Sequence, residues 1–166
     1  MTEANCITGT LDAYNRRVNY LRISVTDRCN LRCLYCSDGN IDYLCHNDIL
    51  SYEEIARIAK VGAEMGVRHV RLTGGEPLVR PYLSNLIKLL TAVPGIDDIS
   101  LTTNGTLLKT QAAELKAAGL KRINVSLDSL IPERFTRITG GEKLNNVFEG
   151  IAEAHRVGLS PVKVNM

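Results

Sequence analysis

Tyr20-Leu21-Arg22-Ile23-Ser24-Val25 decides the fold, because it reads as a strand that runs straight into a cysteine-rich loop. Leu21, Ile23 and Val25 alternate with Arg22 and Ser24, the two-residue period of a strand with one apolar and one polar face. Directly after it comes Cys29-Asn30-Leu31-Arg32-Cys33-Leu34-Tyr35-Cys36, a C-x3-C-x2-C triplet.

Outward from that strand, helix and strand signals alternate. Ser51 and Glu54 have capping-box spacing and open a helix whose apolar positions include Ile55, Ile58, Ala59 and Met65, closed by Gly66. Val70 to Thr73 reads as the next strand, followed by a helix from about Pro81 to Leu90 with Leu83, Leu86, Ile87 and Leu90 on one stripe. Pro94 and Gly95 break the pattern. Ile99 to Thr102 is a third strand, Gln111 to Ala118 a short helix ended by Gly119, and Ile123 to Leu127 a fourth strand. Pro132 opens a shorter helical piece, Leu144, Val147, Ile151 and Ala154 lie at helical spacing before Gly158, and a fifth strand begins at Val162. Strands separated by helices pair in parallel through right-handed crossovers. The expected fold is therefore α/β, a parallel sheet or partial barrel whose last strand leaves an open edge. Residues 1–19 are expected to form an N-terminal extension and residues 20–166 the core.

A chain of 166 residues, 45% hydrophobic and 23% charged, suits one folded domain. Twenty Lys and Arg against eighteen Asp and Glu give +2, too even for nucleic-acid binding by bulk charge, so any basic site must be local. Met1 to Asp12 holds no long apolar stretch and does not read as a secretory signal. No apolar run approaches the roughly 18 residues of a membrane span. The expected setting is the cytoplasm, a reducing compartment in which the five cysteines are metal ligands or free thiols. Cys6 stands alone and reads as inert.

The triplet is the strongest chemical signal. Three thiolates in one short loop can each bind one iron of a cubane cluster and leave the fourth iron for a non-protein ligand. Zinc also fits the spacing, but it would need a fourth protein ligand, for which Cys45 and His46 are the nearest candidates. The second signal is Gly74-Gly75-Glu76-Pro77 after the second strand. Its glycines let a ligand approach the backbone, and Glu76 sets a carboxylate near a ligand ammonium. Taken alone, such a sequence is an ordinary turn.

Together, Cys29 to Cys36 with Tyr35 before the last cysteine, then Gly74 to Pro77, resemble the paired signature of the radical S-adenosylmethionine (SAM) superfamily. The resemblance narrows through Leu21 to Cys29, Val70 to Leu78, Thr102-Thr103-Asn104-Gly105, Ile123 to Leu130 and Val162-Lys163-Val164-Asn165. In that order these blocks are similar to the molybdenum-cofactor GTP 3',8-cyclase family.

This resemblance implies a TIM-like radical SAM barrel with about five of the usual six parallel strands, a 4Fe–4S cluster on Cys29, Cys33 and Cys36, and SAM as second cofactor. Gly74, Gly75, Glu76, Tyr35 and Ser126 are then the expected SAM contacts, and Arg22, Arg71, Thr102 and Lys163 the expected GTP contacts. The basic ones suit a triphosphate, which Arg and Lys pair by charge-assisted hydrogen bonds. Arg22 lies inside the first strand, so its side chain has to point into the barrel lumen. In the family, reductive cleavage of SAM gives a 5'-deoxyadenosyl radical that abstracts the ribose 3' hydrogen, after which the sugar carbon attacks C8 of guanine. No acid–base residue is assigned.

The family's second cluster lies in a C-terminal region that has no counterpart here, so weak or absent cyclisation is expected. GTP and an electron donor are the expected partners, with a homodimer left open. The alternatives are another radical SAM enzyme, such as a peptide maturase, and a non-catalytic iron–sulfur fragment.

Overall fold

The computed structural model describes residues 10–36 and 42–166. Cys6 lies outside them, as do the first nine residues of the expected extension. Ten principal elements alternate: β1 (Tyr20–Ser24), α1 (Tyr52–Glu64), β2 (His69–Thr73), α2 (Leu83–Thr91), β3 (Asp98–Thr103), α3 (Leu108–Ala118), β4 (Arg122–Ser126), α4 (Pro132–Thr139), α5 (Leu144–Arg156) and β5 (Val162–Asn165). Short turns of 3-10 helix cover His46–Asp48 and Pro77–Val79.

All five strands pair in parallel, in the order β1-β2-β3-β4-β5. Strand order equals chain order, so the topology contains no reversal point of the kind doubly wound sheets have. Repeated right-handed crossovers then put every helix on one side, which is the handedness of a barrel wall. The strands carry this out by strict alternation. Val70, Leu72, Leu101, Ile123 and Val125 are completely buried on the helix side, packed with Leu86, Ile87, Leu90, Leu108, Leu115 and Val147. The opposite face is polar: register aligns Arg22 with Arg71, Arg71 with Ser100 and Ser100 with Arg122. A second row runs Thr102, Asn124, Lys163.

Helix starts differ from the sequence expectation at two places. Helix α2 begins at Leu83 rather than Pro81, because Tyr82 adopts the left-handed φ of 58° and ends any earlier helical turn. Helix α3 begins at Leu108, three residues before Gln111, since Leu108 is itself buried and heads the stripe continued by Ala112, Leu115 and Ala118. In α1 the capping box is present as expected, with Glu54 N–H donating to Ser51 Oγ at 3.2 Å and Ser51 N–H to Glu54 Oε2 at 2.7 Å. Only Ile55 and Ala59 of its expected apolar stripe are buried, however. Ile58 and Met65 lie about half exposed, beside an apolar groove of about 460 Å³ shared with Val18, Leu21, Val61 and Val67. Among the described residues no helix is long and apolar enough to cross a membrane.

Candidate cofactor and nucleotide site

The site begins where β1 ends. Val25 N–H donates to Thr73 O at 2.9 Å, and the chain then crosses the end of β2. Gly75 N–H donates to Thr26 O and Glu76 N–H to Arg28 O, both at 2.8 Å. The glycine turn is thus stitched to the segment that leads into Cys29. Here the sequence demands glycine: a Cβ on Gly74 would lie 2.5 Å from Thr26 O, and one on Gly75 would lie 2.7 Å from Asp27 O and closer still to Arg28 O. The close approach is therefore to the protein's own backbone, while both glycines keep an exposed side.

Glu76 requires a correction. Expected to set a carboxylate beside a ligand ammonium, it is fully buried and spends its oxygens inside the chain. Leu78 N–H (3.0 Å) and Thr103 Oγ1 (2.7 Å) donate to Oε1, and Asn104 N–H (2.6 Å) donates to Oε2. Burial pushes its carboxyl up, opposed by those donors. It acts as a tie between the ends of β2 and β3.

The cysteine loop is held on three sides. Arg32 N–H and Leu34 N–H donate to Thr139 O and Ile138 O, at 2.8 and 2.9 Å, which fastens it to the end of α4. A closed ring joins it to β3: Asn30 Nδ2 donates to Thr106 Oγ1 (2.8 Å), Asn104 Nδ2 to Asn30 Oδ1 (2.9 Å), and Thr106 N–H to Asn104 Oδ1 (3.0 Å). Tyr35 OH donates to the Asp128 carboxylate at 3.0 Å, just beyond β4. Loss of solvent around the hydroxyl, then Asp128, pushes the Tyr35 phenol well up, so it stays a neutral donor. The sequence assigns no role to Asn30, Asn104, Thr106 or Asp128. The Thr-Thr-Asn-Gly block and the Asp after β4 were visible, but the contacts join residues 74 to 93 positions apart.

Cys29, Cys33 and Cys36 are free thiols on this loop, the first two half-buried and the third exposed. Burial, then the neighbouring Cys36, Asp128 and Cys29, pushes the Cys33 thiol up. Among the described residues no three His, Cys, Asp or Glu side chains close around one point, and Cys45 and His46 do not complete such a group with the triplet. In donor type, number and shared loop the triplet fits an iron–sulfur cluster with three protein ligands.

Below the loop lies the polar sheet face. Arg22, Arg71, Thr102, Ser126 and Lys163 all stand on it, brought together from four crossovers. A fourth cation, Arg122, is paired with Asp98: Nε to Oδ1 at 3.0 Å and Nη2 to Oδ2 at 2.6 Å. His69 Nδ1 lies 3.7 Å from the same carboxylate. Arg71 rests on Ser100 Oγ (3.4 Å) and over the Tyr20 ring at 5.3 Å. Among the described residues Arg22, Arg71 and Lys163 have no carboxylate at ion-pair distance. A polar sheet face with three cations that make no ion pair among the described residues suits a polyanionic ligand.

GTP 3',8-cyclase of Alkaliphilus metalliredigens (strain QYMF) is 54% identical over 156 residues, which is 93% of this chain and 49% of that relative. GTP 3',8-cyclase of Peptoclostridium acidaminophilum is also 54% identical, over 93% of this chain and 48% of its own length. The chain thus spans about half the length of the curated relatives it matches. Among solved structures, SuiB of Streptococcus suis bound to precursor peptide SuiA superposes with a TM-score of 0.72 at 23% identity, over 89% of this chain and 32% of that one. Methylornithine synthase (PylB) gives 0.71 at 18% identity, over 87% and 43%. These two share the fold. Residues 23–166, from β1 through the cysteine loop and glycine turn to β5, match the Radical SAM superfamily, and the chain belongs to that family.

Proposed function

We propose that the chain carries the cofactor site and part of the nucleotide site of a GTP 3',8-cyclase. The observation that carries this is the charge pattern of the polar face: among the described residues Arg22, Arg71 and Lys163 make no ion pair with a carboxylate, whereas Arg122 is paired with Asp98. A triphosphate supplies the missing negative charge, and guanidinium groups grip its oxygens in a planar, bidentate way.

Enzymes of this superfamily use a 4Fe–4S cluster and SAM. In this chain Cys29, Cys33 and Cys36 would hold the cluster. When bound, the pair supplies a carbon-centred radical by one-electron reduction of SAM, with the electron drawn from an external donor. Tyr35, Gly74, Gly75 and Ser126 border the rim on which SAM would lie. Thr102, beside Asn124 and Lys163 in register, offers a hydroxyl to the nucleotide. The protein's contribution is to orient both ligands and keep water from the space between them.

The test is anaerobic. The chain is reconstituted with iron and sulfide, given dithionite and SAM with and without GTP, and 5'-deoxyadenosine and cyclised GTP are quantified by mass spectrometry. Deoxyadenosine from the wild type and none from Cys29→Ala is the expected result. GTP should also bind the wild type more tightly than Arg22→Ala or Arg71→Ala. Deoxyadenosine formation indifferent to Cys29 sinks the cofactor assignment, and GTP affinity indifferent to both arginines sinks the substrate.

A further inference from the structure

We propose that Asn104 is a positioning residue for the sulfur of Cys29, donating an N–H···S hydrogen bond that raises the reduction potential of a cluster held by the cysteine triplet. The inference rests on the reading of Cys29, Cys33 and Cys36 as cluster ligands.

The orientation of the Asn104 amide is settled by its partners. Thr106 N–H, which can only donate, lies 3.0 Å from Oδ1, and Thr106 Oγ1 lies 2.8 Å from the same oxygen. Oδ1 therefore faces Thr106, and the NH₂ group faces the cysteine loop. One of its hydrogens goes to Asn30 Oδ1 at 2.9 Å, and the other is directed at Cys29 Sγ, 3.9 Å away. That sulfur accepts a second N–H, from Leu31, at 3.4 Å.

The amide is also immobilised. Asn104 N–H is tied to the buried Glu76 carboxylate at 2.6 Å, and Asn30 closes the ring by donating to Thr106 Oγ1 at 2.8 Å. Neither end of the side chain can swing away without breaking a hydrogen bond in a half-buried setting. The contact to sulfur is long for a neutral thiol. A thiolate is a stronger acceptor, and charge-assisted bonds are shorter, so deprotonation of Cys29 on ligation strengthens it. Hydrogen bonds to ligand sulfurs are one of the levers that set cluster potentials. A donor stabilises the more negative, reduced state more than the oxidised one, so Asn104 makes the cluster easier to reduce.

Wild type, Asn104→Ala, Asn104→Leu and Thr106→Val are reconstituted as full chains, with folding checked by circular dichroism and iron counted per chain. Midpoint potentials are read by dye-mediated titration followed by electron paramagnetic resonance. Asn104→Ala is expected to shift the potential to more negative values and to change the line shape of the reduced cluster at unchanged iron content. Asn104→Leu, which keeps the side chain's shape without its donor, is expected to do the same and decides the matter should the alanine variant lose iron. Thr106→Val removes a ring partner but not the N–H, and is expected to shift the potential less. Potentials and spectra of both Asn104 variants equal to wild type overturn the proposal. A wild type that binds no iron overturns the ligand reading, and this inference with it.

Discussion

At the scale of the residue, Glu76 is the clearest case of a side chain whose type was legible and whose role was not. A carboxylate beside two glycines at a strand end invites a ligand, yet its oxygens already hold Leu78 N–H, Thr103 Oγ1 and Asn104 N–H. Glu76→Gln keeps the volume but turns an NH₂ group toward backbone donors, leaving at least one N–H facing another donor in a buried place. Such a mismatch costs about 1–3 kcal/mol. Urea denaturation should show that loss with an unchanged m-value. A variant as stable as the wild type would mean that the three hydrogen bonds do not tie β2 to β3. The tie also fixes Asn104, so the same substitution disturbs the ring that fastens the cysteine loop.

At the scale of the element, periodicity together with proline and glycine punctuation located the five strands and five α-helices but not the short 3-10 turns, because a sheet with one apolar and one polar face leaves a two-residue pattern in its strands. Boundaries were missed where a single residue overrides the period, as Tyr82 does through its left-handed backbone. The stripe on α1 was misjudged for another reason. Ile55, Ile58, Ala59 and Met65 share helical spacing, but the sheet covers only the side carrying Ile55 and Ala59. Two isoleucines three positions apart should therefore respond very differently to truncation. Ile55→Ala opens a cavity in the core and should cost about 2–5 kcal/mol. Ile58→Ala, 48% exposed in the wild type, should stay within about 0.5 kcal/mol. Equal losses in thermal or chemical unfolding would place both side chains in one packed interface.

At the scale of the whole molecule, the site was legible as a list of residue types at strand ends, and convergence followed from the parallel topology. Arg22 illustrates this, since alternation alone puts it on the face opposite Leu21 and Ile23. What sequence could not supply was pairing across register. Asp98 and Arg122 are ordinary surface charges until β3 and β4 are aligned. Their ion pair then decides which cation on the polar face is already neutralised, and it gives stability a pH signature. The Arg122 guanidinium holds the Asp98 carboxyl below its ordinary 3.8. The folded chain keeps that group charged where the unfolded chain would protonate it. Its stabilisation is complete above about pH 3.8 and is lost as pH falls through the lowered value. Glu76 has the opposite sign. Burial raises its carboxyl above the ordinary 4.5, so the folded state keeps a proton that the unfolded state has released. Its contribution is complete below about pH 4.5 and declines as pH rises through the raised value. Thermal unfolding of the apo chain from about pH 3 to about pH 8 should therefore separate the two carboxyls. Asp98→Asn should be less stable than wild type near neutrality, with the gap closing at the acid end, whereas the Glu76→Gln gap should narrow toward neutrality. A gap for Asp98→Asn that ignores pH would mean that Arg122 does not hold the proton off, leaving that guanidinium as open to an anion as Arg22 and Arg71.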